Sequence, residues 1–209
     1  MQVALVDYDS GNLHSAEKAF ALMGREVGAT VTVTSDPEVV ARADRIVLPG
    51  DGAFPACKAA LDAVPGMVQA LGDAVLTRAV PFMGICVGMQ MLADTGHEYR
   101  DTEGLAWIGG EIDAIDAPGL KVPHMGWNDL SVLSPHPVLD GITTGDHAYF
   151  VHSWQFRTRD PAHLLAVADY GGPVTAVVGR DNIVGTQFHP EKSQAVGLRI
   201  IANFLRWRP

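Results

Sequence analysis

The sequence predicts an α/β fold: an open, mostly parallel sheet flanked by helices, with an added antiparallel section. Three observations predict it. In the first half, short β-branched or apolar runs at 2–6, 30–34 and 45–50 alternate with stretches of helical periodicity. Each run closes on a turn-forming cluster, as strands do when they feed a crossover helix. In the second half, strand-like runs follow one another with only Gly-rich turns between them, which is the pattern of antiparallel pairing.

The chain has 209 residues, a length that suits one large domain, 1–209. Hydrophobic residues make up 47% and charged residues 19%, enough apolar material for a core and no signature of disorder. The formal net charge of −9 and the lack of any Lys or Arg run argue against nucleic acid and membrane surfaces as partners. The first apolar run is short and has no basic leader, so a cytoplasmic protein with reduced thiols is expected. Two cysteines, Cys57 and Cys86, are too few for a disulfide framework. No metal is expected: no His-x-x-x-His or Cys-x-x-Cys occurs among the eight histidines and two cysteines.

In chain order, residues 2–6 read as a buried strand closed by the cluster Asp7-Tyr8-Asp9-Ser10-Gly11-Asn12. A helix follows at 15–23, with Ala16, Phe20 and Leu22 or Met23 on its apolar face. Residues 30–34 alternate Thr and Val and predict a second strand. A short helix is expected around 39–43, and a third strand at 45–50 runs into Gly50-Asp51-Gly52. That glycine pair is not a dinucleotide fingerprint, because Pro55 stands where a third glycine would be, and no phosphate loop or other cofactor motif occurs. Residues 56–64 continue as an Ala-rich helix in which Cys57 reads as core filler. Residues 104–115 look like a strand entering the antiparallel section, and 116–147, rich in Pro and Gly, like loops. Residues 148–156 alternate and are aromatic, predicting one good strand. Short strands are expected at 164–168, 174–178 and 182–184, and a closing helix at 195–207.

In a parallel sheet, ligands bind beyond the carboxyl ends of the strands. That rule brings Tyr8 to Asn12, Pro49 to Ala53 and Cys86 to one edge. The run Val80 to Met83 ends in Gly84-Ile85-Cys86-Val87-Gly88, a cysteine form of the nucleophile elbow, in which flanking glycines allow a sharp strand-to-helix turn. A thiol there sits at a helix N-terminus, which favours the attacking thiolate; a buried apolar cysteine at an ordinary strand–helix join is the plainer alternative. Far along the chain stands His189-Pro190-Glu191. Pro190 disfavours a helical His189, and in an extended segment residues two apart share a face. Cys86, His189 and Glu191 would then supply nucleophile, base and orienting acid.

These residues carry a resemblance. Gly84 to Gln90 with His189-Pro190-Glu191 resembles the class I (triad) glutamine amidotransferases, which implies a flavodoxin-like sheet. Asp7-Tyr8 with Gly11-Asn12-Leu13, the run Lys121 to Asn128, and Tyr149 to Ser153 are similar to the glutaminase subunits of imidazole glycerol phosphate synthase, over essentially the whole chain. The resemblance implies glutamine hydrolysis through a Cys86 thioester, with Asp51 and Val87 giving backbone N–H groups to the oxyanion. It implies glutamine binding by Gly50, Gly52, Gln90, Tyr149, Val151, His152 and Ser153. It also implies a (β/α)8-barrel cyclase partner facing Asn12, Met125, Trp127 and Lys192, and ammonia passed to that partner in histidine biosynthesis. Asp51 departs from the usual apolar residue between the two glycines; its carboxylate is expected to turn outward. Other amidotransferase glutaminases, a stand-alone thiol hydrolase and a catalytically silent binding module are the rival readings.

Overall fold

A computed structural model describes residues 1–9 and 13–209; the expectation for Asn12 lies outside these residues. Along the chain come β1 (Gln2–Val6), α1 (Leu13–Gly24), β2 (Thr30–Thr34), α2 (Pro37–Ala41), β3 (Arg45–Gly50), α3 (Phe54–Ala63), α4 (Met67–Gly72), β4 (Phe82–Cys86) and α5 (Val87–Gln90). Then follow β5 (Thr95–Gly96), β6 (Thr102–Glu103), β7 (Gly110–Ala114), β8 (His124–Asp129), β9 (Ser131–Val132), β10 (His147–His152), β11 (Trp154–Thr158), β12 (Leu164–Asp169), β13 (Pro173–Arg180), β14 (Ile183–Thr186) and α6 (Gln194–Arg206).

Among the described residues an eight-stranded sheet runs in the order β2-β1-β3-β4-β14-β13-β12-β9. The five strands from β2 to β14 are parallel, and β13, β12 and β9 add on antiparallel. Strands β1, β3 and β4 are buried along nearly their whole length, as inner strands of a parallel sheet must be, which is why they read as continuous apolar runs. The Thr-rich β2 sits at the edge and is half exposed. Helices α1 and α6 pack together through Phe20 and Phe204, whose rings meet edge to face at 6.3 Å. Two smaller sheets, β10-β8 and β11-β7-β5-β6, complete the added section, antiparallel throughout except for the parallel β5–β7 pair.

Register decides where the chemistry can be. Gly50 pairs with Cys86 and Thr186 with Ile85, so β3, β4 and β14 end at one level. Whatever follows Gly50, Cys86 and Thr186 therefore projects past the same sheet edge. Close approach there depends on Gly88: a Cβ at that position would lie 1.8 Å from the Leu48 carbonyl oxygen, which is main chain and cannot swing away. Gly88→Ala is expected to destabilise the protein by about 3 kcal/mol or more, the scale of severe overpacking. Thermal unfolding checks this, and a midpoint within a few degrees of the parent would contradict the packing described.

Several expectations are corrected. Helix α1 exposes Leu22 and buries Ala16, Ala19 and Phe20, with Met23 packed at the core margin. The run at 148–156 is two strands, β10 and β11, broken at Ser153 and belonging to different sheets. Residues 116–147 are not all loop, since His124–Asp129 is a strand paired in register with β10. Residues 104–109 form no strand. No single helix among the described residues is long and apolar enough to cross a membrane.

Candidate active site

Cys86 stands at the end of β4 with φ 54° and ψ −114°, a conformation that a non-glycine residue holds only when its surroundings impose it. This is the sharp turn the flanking glycines predict. The helix after it is a single turn of 4 residues, so the expected helix dipole at the thiol is small. What the turn supplies instead is the Val87 N–H at a helix start, where the first donors lack intrahelical partners.

His189 follows the end of β14 and is close enough to Cys86 for the sulfur to act on its charge. Its main chain is extended, as Pro190 requires, at φ −91° and ψ 101°. Glu191 lies one step into a 3-10 turn over Pro190–Lys192, not in an extended strand; the tight turn, rather than strand alternation, brings the carboxylate to the ring. His189 Nδ1 and Glu191 Oε1 are 2.8 Å apart with both side chains only 7% exposed. Burial works against a charged imidazole, but the Cys86 sulfur and the Glu191 carboxylate outweigh it, and the His189 pKa is pushed up to about 10. His189 Nε2 and Glu191 Oε2 are buried without a hydrogen-bond partner, a condition that polar groups tolerate mainly where something is to be bound or transferred.

The His189 backbone is held at both ends. Its N–H donates to the Tyr149 carbonyl at 3.1 Å, and its carbonyl accepts from Ser193 Oγ at 2.7 Å. Ser193 Oγ in turn accepts from the Tyr149 N–H at 3.0 Å. Tyr149 main-chain groups are thus committed to His189 and Ser193.

Beside Cys86 opens a cleft of about 200 Å³ lined by Asp51, Gly52, Val87, Gln90, Glu98, Pro123 and the segment Val151 to Trp154. Of the candidate residues, Gly52, Gln90, Val151, His152 and Ser153 meet there. Gly50 lies instead behind the triad, beside His189 and Lys192, at a small cavity of about 30 Å³. Gln90 Nε2 is already committed, donating to the Trp154 carbonyl at 3.1 Å and to Gln187 Oε1 at 3.0 Å. The glycine loop is braced from below: Tyr8 Oη donates to the Pro49 carbonyl at 2.6 Å and Cys57 Sγ contacts the Asp51 carbonyl at 3.5 Å. Burial pushes the Cys57 thiol up to about 11, so it stays protonated and is no competing nucleophile. Asp51 is solvent-exposed and borders both the cleft and the small cavity.

Two residues near Cys86, one lining the cleft and one buried beneath the sulfur, escaped the sequence reading. Glu98 is buried, lines the cleft and accepts from the Phe54 N–H at 2.7 Å. Gln187 is fully buried and its Nε2 lies 3.7 Å from Cys86 Sγ. A polar residue just past β14 and two before His189 was the available signal for Gln187; nothing local marks Glu98.

Met125 and Trp127 are 62% and 48% exposed on β8, with Trp127 edge-on to Tyr149 at 5.8 Å. Lys192 is exposed at the rim of the small cavity. Away from the site, donor atoms of His97, Glu111 and Asp113 gather within 4.8 Å of one another. His97 is already paired with Asp101 and Glu111, and Asp113 with Arg157, so this is a surface ion-pair network.

The thiol on its strained elbow and the buried His–Glu pair lie together past the ends of the parallel strands. Residues 4–207 match the family model for class-I glutamine amidotransferases. The chain belongs to that family and, within it, to the HisH subunits of imidazole glycerol phosphate synthase. It is 62% identical to the HisH subunit of Ruegeria pomeroyi and 64% identical to that of Cereibacter sphaeroides, each alignment covering 100% of both chains. A crystal structure described as a glutamine amidotransferase superposes with a TM-score of 0.74 at 19% identity, covering 97% of each chain, which supports the fold alone.

Proposed function

We propose that Cys86, His189 and Glu191 carry out the glutamine hydrolysis of this HisH chain, whose place in histidine biosynthesis follows from its family. The observation that carries the assignment is the buried His189–Glu191 pair set against Cys86. The Cys86 sulfur, its proton given up to His189 Nε2, adds to the side-chain amide carbon of glutamine, and the carbonyl oxygen becomes a tetrahedral oxyanion. Backbone N–H groups of Asp51 and Val87 receive that charge. His189 Nε2 gives its proton to the leaving nitrogen; the C–N bond breaks, ammonia departs and a thioester remains. Water, losing a proton to His189, attacks the thioester carbon. The C–S bond breaks, glutamate leaves and the sulfur is restored. Glu191 keeps the ring oriented and offsets the imidazolium throughout.

In the cleft, the Glu98 carboxylate offers a counter-charge to the substrate ammonium. Gly52, Gln90 and the main chain of Val151, His152 and Ser153 complete the pocket. The small cavity behind the triad has room for a molecule the size of ammonia. Ammonia would be lost unless the exit were covered, which the partner cyclase subunit, a (β/α)8 barrel by resemblance, provides by docking over Asn12, Met125, Trp127 and Lys192. Glutamine is the small-molecule substrate, no cofactor is required, and the heterodimer works in the cytoplasm. An electrophilic glutamine analogue tests the site: mass spectrometry should find one adduct, on Cys86, which excess glutamine prevents. An adduct on Cys57, or none, would overturn the assignment.

Because Asp51 is exposed and its role is through the backbone N–H, Asp51→Val should leave basal glutaminase activity within about threefold of the parent, the range of a surface change of ±0.5 kcal/mol. A several-fold rise in glutamate release without the cyclase would show instead that Asp51 restrains the resting site.

A further inference from the structure

The nucleophile is tied to a surface strand by hydrogen bonds whose direction can be followed atom by atom. Asn128, at the end of β8 next to Trp127, uses its side chain in full: Oδ1 accepts from the Asp129 N–H at 2.8 Å, and Nδ2 donates to the Asp169 carbonyl at 2.8 Å and to His124 Nε2 at 3.1 Å. With Nε2 accepting, a neutral His124 carries its proton on Nδ1, which faces His152 Nε2 at 2.9 Å. His152 then carries its proton on Nδ1 and donates it to the Trp154 carbonyl at 2.8 Å. The same carbonyl accepts from Gln90 Nε2 at 3.1 Å; the second Gln90 hydrogen goes to Gln187 Oε1 at 3.0 Å, and Gln187 Nε2 points to Cys86 Sγ at 3.7 Å.

Each histidine has only one tautomer that keeps its bonds. Burial pushes both His124 and His152 down to about 4, so both rings are neutral and the assignment holds at neutral pH. His124 is also clamped between Tyr170 and Phe150, whose rings stack on it at 4.1 Å and 4.7 Å. A buried polar chain with every donor directed rigidifies what it touches, because breaking one link strands the next group. What it touches last is the sulfur, and a donated N–H there stabilises negative charge.

We propose that this chain, from Asn128 through His124, His152, the Trp154 carbonyl and Gln90 to Gln187, is a positioning relay that fixes the Cys86 sulfur, with Gln187 as the positioning residue at its inner end. The inference rests on Cys86 being the nucleophile and goes beyond the triad itself: Gln187 does not touch substrate and acts through Cys86.

The test uses the chain assembled with its cyclase subunit. Gln187→Met keeps length and loses the amide. His124→Phe keeps the ring stack and loses both nitrogens, and His124→Asn restores a donor near Nδ1. Two quantities are read: kcat and KM for glutamate release, and the rate at which iodoacetamide alkylates Cys86, followed on its own peptide so that Cys57 does not contribute. Gln187→Met and His124→Phe should each lower kcat and the alkylation rate together, about five- to tenfold as for one lost hydrogen bond, with KM within about twofold. His124→Asn should recover at least half the lost rate. Folded His124→Phe protein with unchanged kcat and alkylation rate would overturn the relay, as would His124→Asn behaving like His124→Phe. Cys86→Ala, run alongside, separates the failures: an inactive Cys86→Ala with unaffected relay variants overturns only the relay, while an active one overturns the site assignment beneath it.

Discussion

Cys86→Ala is expected to abolish glutamate release, lowering kcat by about 10⁴-fold or more, as removal of a covalent nucleophile does when the rest of a triad cannot substitute for it. The fold should survive. Cys86 is a small buried side chain at a position whose strain comes from the backbone angle, and alanine adopts that angle at much the same cost. An inactive variant with a parental unfolding midpoint assigns the loss to chemistry. Residual activity above about one part in a hundred would move the nucleophile elsewhere, and Cys57, buried and held protonated, is no candidate to take over.

Glu191→Gln is the second large effect, with kcat reduced by about 10²- to 10⁴-fold by analogy with replacing the orienting acid of a triad. The amide keeps the shape but gives His189 Nδ1 a neutral partner in place of a carboxylate. Burial opposes the imidazolium, and the Cys86 sulfur and Glu191 hold it up, so removing Glu191 should lower the His189 pKa from about 10. Titration of the imidazole by NMR reads this directly. The sign for stability follows. The folded pKa is raised above the ordinary value of about 6.5, so this group's contribution is fully present below pH about 6.5 and is lost as pH rises through about 10. The stability gap between parent and Glu191→Gln should therefore narrow from neutral toward alkaline pH. A gap that widened would contradict the charge assignment.

The fold's parallel half was legible because its inner strands, buried on both faces, announce themselves as apolar runs, and its edge strand β2 as a β-branched one. Strands β1, β2 and β3 fall where the residues alone place them. The antiparallel half was less so. Ser153 divides an aromatic run into β10 and β11 without any glycine or proline to mark the break, and β8 lies within a segment whose Pro and Gly content reads as loop. Both strands of the β10–β8 pair are fixed by each other, a long-range choice that local propensity does not encode.

At the site, the elbow and the His-Pro-Glu turn could be read because backbone constraint concentrates in glycine and proline. The reason His189 and Glu191 meet was misjudged: a 3-10 turn, not strand alternation, joins them. Gln187 and Glu98 could not be placed without the register of β14 beside β4 and the path of the chain after α5: Gln187 meets Cys86 across 101 residues of sequence, and Glu98 is brought to the cleft by irregular chain that no local pattern marks. Gln90 lines the cleft, but the commitment of its amide to Gln187 and Trp154 is a tertiary fact.

The central claim, that this chain hydrolyses glutamine at Cys86 in the service of a cyclase, is tested most directly by glutamate release with and without the cyclase subunit carrying its nucleotide ligand, with Cys86→Ala as the blank. Strong stimulation by the liganded cyclase that disappears in the blank is the predicted result. Glutamate release that ignores the cyclase, or that persists in Cys86→Ala, would contradict it.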